Sequence, residues 1–133
     1  MKALVNAYPN TLQAYHWASL HAHHTDKDND SAIKYAQQLI AMNPEIGPIY
    51  NTTGYIYLDR KEMMKARTAF EDYIAYSANE ANPYDSMADY YMANKEYEKA
   101  AVFYEKAVVM GMSSAAERAK KAKEMITASV KEN

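Results

Sequence analysis

The 133-residue chain contains no cysteine, which excludes disulfides and thiolate metal sites and fits any redox compartment. No run of 18 apolar residues is present, so this segment holds no membrane-spanning helix. The opening MKALVNAYPN lacks the long apolar stretch of an export signal. A basic excess is missing too: 15 Lys and Arg face 17 Asp and Glu, a formal net charge of −2. That balance argues against a broad electrostatic grip on nucleic acid or an anionic membrane. Phenylalanine and tryptophan are scarce, at 2 and 1, whereas tyrosine numbers 13. Tyrosine joins a large contact area to a polar tip, which suits half-buried helix faces first and groove walls second.

What is present is a period. Ala32, Ala66 and Ala100 lie 34 residues apart, as do Ile40, Ile74 and Val108, and Ala36, Phe70 and Tyr104. A fixed interval of this size marks a repeat architecture in which each unit is one supersecondary element stacked on the next. Each unit resolves into two helices. In the third, Asn82-Pro83-Tyr84-Asp85 is a helix start, with Asn able to cap, Pro suited to the first turn and Asp to its positive end. Tyr84, Met87, Ala88 and Tyr91 then follow one helical face. After a polar turn, Tyr97, Ala100, Ala101, Tyr104, Ala107 and Val108 mark a second amphipathic helix, which Gly111 is placed to end. In the second unit the matching faces are Tyr50, Thr53, Gly54 and Tyr57, then Met63, Ala66, Phe70, Tyr73 and Ile74. Gly54 and Ala88 are expected where facing helices approach most closely. The first unit keeps register only with one residue added in the turn between His24 and Asp30.

The two ends differ. Ser114-Ala115-Ala116-Glu117 reads as a capping box opening a last helix, with Ala115, Ala119, Ala122, Met125, Ile126 and Val130 on its inner side. Such a helix would close the array. At the other end Lys2-Ala3-Leu4, followed by Tyr8-Pro9-Asn10, reads as the tail of an earlier repeat. The chain is therefore expected to be a fragment of a longer one, with any export or anchoring signal upstream and the compartment left open.

These units resemble tetratricopeptide repeats, whose pattern is W-x2-L-G-x2-Y, then A, F and P. The third unit carries it from Tyr84 to Tyr91 and through Tyr97-Glu98-Lys99-Ala100-Ala101 and Tyr104; the second through Tyr50, Gly54, Tyr57, Ala66 and Phe70. The first lacks a large aromatic at Ala36 but closes with Asn43-Pro44. The resemblance implies an all-α, right-handed superhelix of antiparallel helix pairs, one domain over 1–133. Its repeats would span about 10–44, 46–80 and 81–112, with a capping helix at about 114–131. It also implies a concave groove for a peptide or partner protein, faced by Gln13, His16, Leu20 and His23, then Asn51, Tyr55 and Leu58, then Asp85, Asp89 and Met92. Where relatives that capture chaperone C-termini carry lysine, asparagine and arginine, this chain has His16, Leu20, Thr52, Asn82 and Ser86. The cationic clamp is missing.

No catalytic pattern competes with this. There is no nucleophile elbow, zinc-protease helix or phosphate loop. His21, His23 and His24 with Asp26, Asp28 and Asp30 form the one cluster resembling a metal site. A calcium loop would need glycine after the third Asp and a closing glutamate, where Ser31 and Gln37 stand. A polar turn with Asn29 or Asp30 capping the next helix is the plainer expectation. The sequence thus predicts a non-enzymatic interaction module without metal or cofactor. Its expected ligand carries Lys or Arg near Asp85 and Asp89 and makes apolar contacts over Tyr55 and Met92. An accessory region of a larger enzyme, and self-association through the uncapped N-terminal end, are the alternatives.

Overall fold

Apolar spacing of three and four residues, broken by short polar turns, dictates helices throughout. The computed structural model describes residues 1–132, and among them every regular element is an α-helix. These are α1 (Lys2–Ala7), α2 (Leu12–His24), α3 (Asn29–Met42), α4 (Gly47–Asp59), α5 (Met63–Tyr76), α6 (Asn82–Ala93), α7 (Tyr97–Val109) and α8 (Ala115–Glu132). They gather into two compact units, one over Met1–Tyr76 and one beginning at Ser77. Within the first, α2 pairs with α3 and α4 with α5; within the second, α6 pairs with α7 and α7 with α8.

The turns explain the period. Lys27, Lys61 and Lys95, again 34 residues apart, have φ of 56°, 58° and 60°, the left-handed region. After α4 the Lys61 amide reaches the Leu58 carbonyl at 2.9 Å and the Glu62 amide reaches Tyr57 at 2.9 Å. After α6 the Lys95 and Glu96 amides reach Met92 and Tyr91 at 3.1 and 2.9 Å. This paired bonding satisfies the last carbonyls of a helix and needs one left-handed residue to do so. Gly111, with φ of 107°, repeats it after α7. After α2 the bond from Asp28 instead spans back to Ala22 at 2.8 Å, one residue further. The offset of the first repeat therefore lies between His24 and Lys27.

Capping departs from expectation in two places. Asp28, not Asn29 or Asp30, caps α3, accepting from the Ser31 amide at 3.1 Å and the Ser31 hydroxyl at 2.6 Å. Asn82 is the first helical residue of α6, with Ala81 at the cap position. Pro48 and Pro83 do occupy the first turns of α4 and α6, where a missing amide costs nothing.

The core of the first unit is built from Val5, Tyr15, Ala18, Ala36, Leu39, Ile49, Tyr50 and Tyr73. Beside it, Ala22, Ala32 and Ile56 form a second cluster against Ile33. Gly54 is buried against Phe70: a Cβ there would stand 2.4 Å from the Phe70 ring. Many tyrosines are half structural and half polar, as their chemistry allows. Tyr50 and Tyr84 each donate a hydroxyl hydrogen bond six residues back, to Pro44 at 2.6 Å and Ala78 at 2.9 Å. In the second unit Ala115, Ala119 and Ala122 bury the inner side of α8, but Val130 is 69% exposed, so the apolar side of this helix ends earlier than its spacing predicts.

Candidate binding surface

Helical spacing puts Gln13, His16, Leu20 and His23 along α2 and Asn51, Tyr55 and Leu58 along α4. Leu20, His23, Asn51 and Tyr55 meet in one hollow of about 360 Å³, with His24, Thr52 and Asp59 completing its wall. His16 and Leu58 are half-buried outside that lining, and Gln13 is exposed beside Trp17. Burial pushes the His16 imidazole below its ordinary value, which favours the neutral ring at pH 7.

The hollow's walls are held from behind. His23 Nδ1 lies 2.9 Å from Asn29 Oδ1 on α3, and its Nε2 lies 3.7 Å from Asp59 Oδ2. The His24 ring is tilted against that of His23, with centroids 4.6 Å apart. Tyr55 meets Phe70 edge to face at 5.1 Å, and Phe70 owes its position to the absent side chain of Gly54. Asn51 Oδ1 is buried and makes no hydrogen bond among the described residues. An unsatisfied buried acceptor of this kind costs about 1–3 kcal/mol.

The α6 residues of the second unit have a different setting. Asp85 is buried, and its Oδ1 accepts from Arg118 Nη2 at 2.7 Å and Nε at 3.1 Å. Burial drives the Asp85 carboxyl above its ordinary value, an effect that the Arg118 hydrogen bond opposes and nearby Asp89 reinforces. Asp89 accepts a hydrogen bond of 2.5 Å from the Tyr104 hydroxyl, whose own titration is pushed up by burial and by that carboxylate. Met92 is half-buried at the end of the same helix. The acidic pair thus has partners from α7 and α8 inside its own unit. Arg118 was not singled out from the sequence, yet it shares a helical stripe with Ala115 and Ala122 and is the charged residue on it.

The histidine turn is a web of local bonds. His21 Nδ1 lies 3.2 Å from Asp26, Asp28 caps α3, and Asp30 pairs with Arg60 at 2.8 Å. Among the described residues no three His, Asp or Glu side chains are grouped to hold a metal ion. A further hollow of about 440 Å³ opens among α3, α4 and α5, lined in part by Ile40, Tyr50, Tyr57, Met64, Lys65 and Asp72. The sequence offered Tyr50 and Tyr57 only as packing residues there.

No protein-family model matches the chain, and no curated protein matches it. Solved structures do. A thermophilic TPR protein of Thermus thermophilus superposes with a TM-score of 0.75 at 20% identity, over 91% of this chain and 68% of the other. The first TPR of Spaghetti, bound to the HSP90 peptide SRMEEVD, gives 0.80 at 14% identity, covering 87% and 95%. MamA gives 0.72 at 19% identity, covering 98% and 86%. The fold is that of the tetratricopeptide repeat. Within a tetratricopeptide fold α2, α4 and α6 are the first helices of the three pairs. The residues assigned to the groove all lie on those helices, although only four of them share a hollow.

Proposed function

We propose that this chain is a non-enzymatic protein-interaction module built of repeats over about 10–44, 46–80 and 81–112 and closed by a helix over about 114–131. In its first unit an extended or helical segment of another protein lies along α2 and α4. The observation that carries this is the hollow joining Leu20, His23, Asn51 and Tyr55, residues from two helices converging on one concave site. Leu20 and the Tyr55 ring supply apolar contact. Asn51 brings a carboxamide whose oxygen is not spent inside the fold. Asp59, its side chain 62% exposed, adds a negative charge at the rim that favours a ligand with Lys or Arg. In the second unit, Asp85 is taken up by Arg118 and Asp89 accepts from the Tyr104 hydroxyl.

Recognition of a free C-terminal carboxylate is not part of this function. Thr52 and Ser86, at two of the clamp positions, are 6% and 1% exposed and carry no charge. Peptides selected from a random display library test the reading. We expect enrichment of basic and aliphatic residues, and binding weakened about tenfold or more by Asp59→Ala and by Asn51→Ala. Circular dichroism checks that both variants keep their helix, since Asp59 also faces the buried His23 ring. Selected peptides that bind both variants as well as the parent, or tight binding of SRMEEVD, would overturn it.

A further inference from the structure

The hollow of about 440 Å³ among α3, α4 and α5 opens on the far side of α4 from the peptide surface. At about 100° per residue, Tyr50, Thr53 and Tyr57 share one side of that helix, while Asn51, Tyr55 and Asp59 share the other. All of its walls come from the first unit. Its size falls within the range of about 300–1,000 Å³ that small-molecule sites occupy. Two of its lining residues, Lys65 and Asp72, carry charge, and only one of the charges is answered. Lys65 Nζ lies 2.9 Å from Glu62 Oε2 and 5.7 Å from the centroid of the Tyr57 ring. Asp72 makes no ion pair or hydrogen bond among the described residues. Burial pushes its carboxyl above the ordinary value, and the charge of Glu71 adds to the effect. The Tyr50 hydroxyl is pushed up as well, by burial first and then by Tyr76 and Asp72, so the carboxylate is within electrostatic reach of that aromatic wall.

The neutral polar groups of the lining lean the same way. Thr53 and Thr68 donate their hydroxyl protons to the Tyr50 and Met64 carbonyls, each at 3.1 Å, and Tyr50 donates its own to Pro44. These oxygens are left to accept. Thr68 precedes Asp72 by one helical turn, which sets its oxygen beside the carboxylate. We propose that this hollow binds a small organic cation, a protonated amine on an aromatic or aliphatic stem, with its ammonium on Asp72 and its stem against Ile40, Tyr57 and Met64. Asp72 gains the charged partner that the fold does not supply, and the ammonium brings the N–H donors that the lining oxygens lack. The Tyr50 ring, stacked on Tyr76 with centroids 5.4 Å apart, offers the cation a π face of fixed orientation. Met64, unbranched and exposed at the rim, adapts to the shape of the stem.

Phenethylammonium, with phenethyl alcohol as its neutral analogue, probes the hollow through amide NMR spectra titrated to about 10 mM, above the Kd on the order of 0.1–1 mM expected for so small a ligand. We expect the shifted amides to fall within residues 50–57 and 64–72, and the alcohol to bind about tenfold more weakly or less. Asp72→Asn should weaken the ammonium by about tenfold and leave the alcohol unchanged. Glu98→Gln, which removes an exposed carboxylate from the second unit with the same change in net charge, should alter neither. Circular dichroism checks that the variants keep their helix, and the comparison of the two probes on the parent chain needs no variant at all. An alcohol that binds as tightly as the ammonium overturns the proposal. So do shifts centred outside these helices, no shift up to about 10 mM, or ammonium binding that survives Asp72→Asn. A lysine-bearing peptide that seats here where phenethylammonium does not would give the hollow to a partner protein and overturn it equally.

Discussion

Gly54→Ala sets two large effects of opposite sign against each other. In a helix interior alanine is favoured over glycine by about 1 kcal/mol, so the substitution at a mid-helix site would ordinarily stabilise. Here the new methyl would lie 2.4, 2.6 and 2.7 Å from Cε1, Cζ and Cδ1 of Phe70, against an ordinary carbon–carbon contact of about 3.5–4.0 Å. Relief requires the ring to retreat by about 1 Å. Phe70 is fully buried, with Tyr55 packed on its edge, so the retreat displaces its neighbours. Forcing extra volume into a packed core costs about 1–3 kcal/mol or more, and three sub-3 Å contacts belong at the upper end. The net expectation is a loss of about 1–2 kcal/mol, read as a fall in Tm of several degrees by circular dichroism. The same substitution in a Phe70→Leu background should lose its penalty and approach the helix-propensity gain, since the ring it strikes has gone. If Gly54→Ala raises Tm in the parent, or costs as much beside Leu as beside Phe, the close approach is not what keeps glycine there.

Lys61→Gly should stabilise the first unit by about 0.5–1 kcal/mol, because a left-handed L-residue costs about 1–2 kcal/mol and glycine returns part of that as chain entropy. Gly111→Ala should do the reverse by about 1 kcal/mol even though no atom lies within 4 Å of its new Cβ; urea midpoints check both. Asp85 has a carboxyl raised above the ordinary 3.8, so the folded state holds its proton more tightly than the unfolded one. Stability therefore falls as pH rises from 3.8 to that higher folded value, and the slope is absent outside this window. Asp85→Asn should erase this component; a parent and variant with parallel urea midpoints across acid pH would refute it.

The helices were legible because their period, 34 residues, is carried by small and apolar residues that packing makes hard to vary: Ala32, Ala66 and Ala100 are all fully buried. Gly54 was legible as a point of close approach for the same reason. Partnerships between helices were not. Asp85 and Arg118 lie 33 residues apart on α6 and α8, and no local pattern announces that one charge answers the other. Asp28 could not be told from Asn29 or Asp30 as the cap of α3, since all three side chains can accept an amide and only the path of the turn selects one. The left-handed lysines were likewise invisible, because nothing in a lysine's chemistry signals positive φ. Leu20, His23, Asn51 and Tyr55 were named from the resemblance; their convergence on one hollow is a matter of tertiary packing alone.

The extra residue between His24 and Lys27 carries a lesson for anyone wishing to build on this scaffold. The first turn is longer than its two counterparts, yet the lysine that ends it and the helix that follows hold their places in the 34-residue rhythm. Length is absorbed before the left-handed residue and is not passed on. The Arg60–Lys61 and Asn94–Lys95 turns should therefore act as insertion ports. A binding loop, an epitope or a fluorophore-bearing segment grafted just ahead of the lysine would be displayed at the tip without shifting the register of the helix behind it.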